Sequence, residues 1–133
     1  MRNIGKLGFV LTLLVLIASC KKDEKTPAEN LEGKWIITSQ ELLATVTAGD
    51  GSYLTFGACS STCSGTDYKA SDQTTGSFTY VLNEDATQLS INDQLTAGGN
   101  YNYVWDILEL NETNLRMTAS TILGNLKIEM TKE

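Results

Sequence analysis

The residue types that carry most protein chemistry are thinly spread in this chain. It has no histidine, which removes the commonest general base, the commonest zinc ligand and every Ser-His or Cys-His arrangement. Three cysteines are present, Cys20, Cys59 and Cys63. In Cys59-Ser60-Ser61-Thr62-Cys63 three residues separate the thiols, where redox motifs have two. Structural zinc takes four ligands, and nothing supplies the other two. A three-residue hairpin tip would instead set Cys59 and Cys63 opposite each other within bonding distance. A disulfide is therefore expected, with free thiols as the alternative, and so short a loop contributes only about 2 kcal/mol. Carboxylates are numerous but scattered. Asp67 and Asp72 fall in a polar stretch and Glu84-Asp85 in a turn, and no segment has the spacing of a calcium loop. They are expected to form a solvated acidic surface rather than the acid and base of a glycosidase. With no nucleophile–base pair and no metal set, the chain is not expected to be an enzyme, and no cofactor is implied.

The third cysteine belongs to a different argument. Arg2 and Lys6 precede an apolar run over residues 8–18, and Lys21-Lys22-Asp23-Glu24-Lys25 follows Cys20 at once. A basic start, a short apolar core and small residues before a cut make a secretory leader, and the run is shorter than the ~20 residues of a membrane-spanning helix. Ile17-Ala18-Ser19-Cys20 resembles the lipobox of bacterial lipoproteins. That resemblance implies a leader over residues 1–19, diacylglyceryl transfer to the Cys20 thiol and palmitate-type acyl chains holding the protein to the outer membrane. The lysines followed by Asp23-Glu24 resemble the surface-export signal of Bacteroidota lipoproteins, which implies display toward the cell exterior. Residues 20–30, with Pro27 among them, read as the lipidated cysteine and a charged tether.

Composition supports one folded domain over residues 31–133, with 41% hydrophobic and 20% charged residues. Net charge is −6, and loss of Arg2 and Lys6 with the leader takes it to −8. An acidic chain with no Lys/Arg cluster beyond the tether repels phosphates, so nucleic acid is excluded as a partner. Membrane contact is expected through the lipid anchor alone. The oxidising exterior of the cell permits Cys59 and Cys63 to pair.

The elements read as strands. Trp35 and Ile37 share one face of the first, Leu54 and Phe56 one of the next, and Phe78, Tyr80 and Leu82 alternate further on. Residues 60–76 read as a long loop, Asn83-Glu84-Asp85-Ala86 as a turn, Leu89 and Ile91 as a short strand, and residues 96–100 as another turn. A long strand is expected over residues 101–110, a turn at Asn111-Glu112-Thr113-Asn114, and a tight hairpin at Gly124-Asn125 ahead of alternating Leu126, Ile128 and Met130. The helix signal is confined to a short piece over residues 40–45. Leu31-Glu32-Gly33-Lys34-Trp35 leading into an apolar-polar strand resembles the lipocalin-like lipoproteins of Bacteroidota, with Gly-x-Trp as the first-strand motif of lipocalins. The expected fold is all-β: a small antiparallel meander β-barrel of seven or eight strands.

The residues expected to face a cavity or core are Trp35, Ile37, Phe56, Phe78, Tyr80, Trp105 and Asp106. Asp106 conflicts with strict alternation, because Leu108 and Leu110 inward would carry it inward too. A bulge near Asp106-Ile107 would resolve this, and a polar residue lining a cavity is the alternative. Pairing Leu110 with Leu115, Glu109 with Arg116 and Leu108 with Met117 would bury the four apolar partners together and leave an exposed ion pair. So many aromatics imply a largely filled barrel, with any ligand small or seated at the mouth. Two functions remain open: binding a small apolar or amphipathic ligand, or serving as a structural or interaction module of the cell envelope with a protein partner.

Overall fold

The computed structural model describes residues 24–59, 63–94 and 101–133. The leader, Cys20 and the turn expected over residues 96–100 lie outside them. Among the described residues one short helix, α1 (Pro27–Leu31), precedes nine strands: β1 (Gly33–Leu42), β2 (Thr45–Ala48), β3 (Tyr53–Phe56), β4 (Ser64–Lys69), β5 (Thr74–Leu82), β6 (Gln88–Asn92), β7 (Val104–Leu110), β8 (Asn114–Thr121) and β9 (Gly124–Lys132). β1 pairs antiparallel with both β2 and β3, each strand from β3 onward pairs antiparallel with the next in a meander, and β9 returns to β1. β2 and β3 occupy the same edge of β1, one after the other, so nine segments make an eight-position closed barrel. The fold is the all-β meander barrel expected from alternation.

Local chemistry explains the turns. Asp50, Asp72, Asp85 and Asn111 each accept, on Oδ1, the backbone N–H and the hydroxyl of the Ser or Thr two residues on. The side chain thereby mimics a backbone turn just before β3, β5, β6 and β8. Asn83-Glu84-Asp85-Ala86 and the Asn111 turn stand where expected. The last hairpin differs. Its tip is Ile122-Leu123, and Gly124, with φ of 125°, already pairs with Thr121 inside β9.

The interior is dense at one end. Trp35, Leu54, Leu89, Trp105, Leu115, Met117 and Ile128 have no measurable exposure. Phe56 packs edge-on against Phe78 and Tyr80, with ring centroids 5.4 and 5.1 Å away. α1 closes this end. Its capping box joins Thr26 and Glu29, Leu31 is buried, and the Leu31 carbonyl accepts from Trp35 Nε1 at 2.7 Å. The stretch read as a tether thus ends in a helix that plugs the barrel.

Several expectations are corrected. Residues 60–76 are not one long loop, since they contain β4 and the start of β5. The inward positions of β4 are Gly65 and Asp67, so its alternation carries no apolar signal. Residues 40–45 are not helical. They finish β1 and turn through Leu43 and Ala44, at φ of 53° and 62°, into β2. The strand expected from residue 101 begins only at Val104.

Asp106 points outward and accepts from Gln88 Nε2 at 3.1 Å, so it lines neither core nor cavity. The bulge falls two residues later, at Leu108. Ile107 pairs with Met117 and Glu109 with Arg116, leaving Leu108 unpaired and half exposed. The extra residue resets the phase: Trp105 and Ile107 face in before it, Leu110 after it. Without it Glu109 would be driven inward. The Glu109–Arg116 pair is as expected, at 2.7 Å and partly exposed, and such a pair contributes at most about 1 kcal/mol.

Candidate ligand cavity

β1 carries a second bulge, at Thr38. Ile37 pairs with Met130 and Ser39 with Glu129, so Thr38 is the extra residue. The phase shift turns Gln40 and Leu42 inward, where Ser39 and Glu41 would otherwise point. At the same level the neighbouring strand breaks between β2 and β3. Gly49 donates to the Thr38 carbonyl at 2.8 Å and Ile37 to the Ser52 carbonyl at 3.0 Å, with Asp50 and Gly51 looped out between. Ser52 Oγ donates to Asp50 and accepts from the Ala70 amide at 3.0 Å, tying this excursion to the β4–β5 turn. β4 reaches only Tyr53 on that side, so β2 has no strand beyond it and the wall is open there.

These irregularities leave a cavity of about 610 Å³ at the end opposite α1. Ile37, Leu42, Leu126 and the Tyr101 ring give it apolar surface, and Gln40, Ser52, Asp67 and Lys69 line it with polar groups. The size falls in the usual range for small-molecule sites, roughly 300–1,000 Å³. The Tyr101 hydroxyl oxygen accepts from Gln40 Nε2 at 3.3 Å. Burial raises the Tyr101 phenol above its ordinary pKa; the Gln40 bond opposes this, while the Asp67 and Asp50 charges add to it. Exposed Leu43, Val46, Ile122 and Leu123 form an apolar rim on the β1–β2 and β8–β9 hairpins.

Of the residues expected inside, Trp35, Phe56, Phe78, Tyr80 and Trp105 are buried core, and Ile37 alone of the set reaches the cavity. Tyr80 uses its hydroxyl to donate to the Gly57 carbonyl below the cavity. Cys59 and Cys63 are disulfide-bonded with Cα atoms 4.6 Å apart, across the β3–β4 tip at the closed end. Asp67 is a correction. It is buried, at 3% exposure, rather than part of a solvated acidic surface. Neither hydropathy nor spacing in the sequence signals its inward position, which is set by pairing with β3 and β5. Glu84 and Asp85 are exposed in their turn. Among the described residues no group of three or more His, Cys, Asp or Glu could hold a metal ion, and no helix is long and apolar enough to cross a membrane.

A closed up-and-down barrel, plugged at one end and hollow at the other, is the architecture of small-ligand binding barrels. The chain belongs to the lipocalin-like domain family, which matches residues 31–117. The matched stretch holds every strand from β1 to β7 and all the cavity residues except Leu126. No curated protein matches the chain.

Proposed function

We propose that this protein is a lipid-anchored binding protein of the outer membrane, whose barrel holds one small, mainly apolar molecule in the cavity opposite α1. The cavity carries the proposal. A barrel that buries two tryptophans and three further aromatics in its core still leaves about 610 Å³ unfilled at the end opposite α1. Two bulged or broken strands, both departures from regular pairing, are spent on keeping that space. Binding is non-covalent and no bond is made or broken, so the reading is of a carrier or sensor and not an enzyme.

Filling the mouth should weaken binding while sparing the fold. Ala48 lines the cavity and is exposed. Ala48→Trp is expected to lower affinity for the neutral probe N-phenyl-1-naphthylamine about tenfold or more, with the thermal midpoint unchanged. Equal probe fluorescence in both proteins would remove the cavity from consideration.

The anchor rests on Ile17-Ala18-Ser19-Cys20 behind its apolar run, with outward display suggested by the charged residues after it. α1 is the first described element and sits at the closed end, so a tether entering there leaves the mouth pointing away from the lipid. Cys20→Ala should leave the protein unlipidated and absent from the outer-membrane fraction. Recovery there at the wild-type level would refute the anchor. The second reading, an interaction module of the envelope, is favoured by the apolar rim of Leu43, Val46, Ile122 and Leu123, which a protein partner could cover.

A further inference from the structure

We propose that the ligand carries a protonated amine on its apolar body and that Asp67 receives it; this rests on the cavity being a ligand site. Asp67 projects from β4 into the barrel, buried, and lines the cavity. Its Oδ2 accepts from Gln94 Nε2 at 3.2 Å, whereas Oδ1 has no hydrogen-bond partner. A buried carboxyl oxygen left without a donor is unusual, because losing water without replacement is costly. A ligand donor would supply what is missing.

The carboxyl is held ready rather than loosely placed. Gln94, itself buried, also accepts from the Tyr101 amide and exchanges two hydrogen bonds with Asn102 at 2.8 and 3.1 Å. That network fixes Oδ2 and leaves Oδ1 as the free position. Lys69, the cation on the same strand, also lines the cavity; it lies 3.5 Å from Asp72 on the β4–β5 turn and its charge acts on Asp50 as well, so carboxylates still outnumber it. Asp50 adds a second carboxyl to the cavity wall, and Tyr101 adds an aromatic side chain. The charge pattern suits an ammonium group and repels a fatty carboxylate at the same depth.

The test compares decylamine, decanol and decanoate, each below its micelle concentration, by titration calorimetry on wild type and Asp67→Asn. The chains are alike, so differences report the head group. Decylamine is expected to bind wild type roughly tenfold more tightly than decanol, with decanoate weakest. Asp67→Asn keeps the side-chain shape and an oxygen for Gln94, and should erase the amine preference, bringing decylamine affinity down to about that of decanol. Should the variant not fold, the wild-type order alone decides. Equal binding of amine and alcohol, or tighter binding of decanoate, would overturn the amine assignment and leave the cavity as a ligand site. Failure of all three to bind would instead overturn the ligand site itself.

Discussion

Trp35→Ala should lower the unfolding free energy by about 3–5 kcal/mol, the usual cost of emptying a large aromatic site, out of a total of roughly 5–15 kcal/mol. Three things depend on this side chain. It is fully buried where β1, β3 and β9 meet, so its removal leaves a void that strands on both sides cannot easily close. Its indole N–H satisfies the Leu31 carbonyl at the end of α1. Its ring also lies 5.1 Å from Lys132 Nζ, which donates to the Asn30 carbonyl at 2.7 Å. The helix plug is thus hung on Trp35 and on the end of β9. Trp35→Phe separates packing from hydrogen bonding: it restores most of the volume but orphans the Leu31 carbonyl, for an expected loss of about 1–3 kcal/mol. Urea unfolding followed by tyrosine fluorescence and circular dichroism would measure both. A Trp35→Ala protein within 1 kcal/mol of wild type, a fraction of that ~3–5 kcal/mol cost, would mean that the closed end is not tightly packed.

Gly65→Ala is expected to cost about 1–3 kcal/mol or more, and Gly65→Val to prevent accumulation of folded protein. Gly65 faces inward on β4, opposite Phe56 on one side and Phe78 on the other. A Cβ there would collide with the Thr55 carbonyl and with the Phe78 ring, whose Cε2 would lie 2.6 Å away. The ring could rotate aside at some loss of packing, but the carbonyl is part of the β3 backbone and cannot yield without bending the ladder. The glycine is therefore a seat for Phe78. Pairing Gly65→Ala with Phe78→Leu tests this, because the double mutant should lose less than the sum of the two single losses. Wild-type stability in Gly65→Ala would show that β3 and β4 are more loosely joined than this packing implies.

The features legible in the sequence are those set by local pattern. Period-two alternation in Trp35/Ile37, Phe78/Tyr80 and Ile128/Met130 places those residues inside because a strand's side chains must alternate. Short polar turns between them imply a meander, and the Glu109–Arg116 and Leu110–Leu115 pairs follow from the position of the Asn111 turn, as does the disulfide from the spacing of Cys59 and Cys63. What only the tertiary structure decided is where that pattern is broken. The β7 bulge is signalled by the clash between Trp105/Ile107 and Leu108/Leu110, although it falls at Leu108 and not at Asp106-Ile107; the bulge at Thr38 leaves no hydropathy signature and resets the facing of the residues after it. β4 was illegible for a related reason. An inward glycine is chosen for a neighbour's ring, and an inward aspartate for Gln94 and the space beyond, both of which arrive from distant strands. The closed end of the barrel is a matter of apolar content, which composition and alternation carry. The cavity exists because two strands depart from regular pairing at one level, and that coincidence arises only when β1, β2 and β9 are brought side by side.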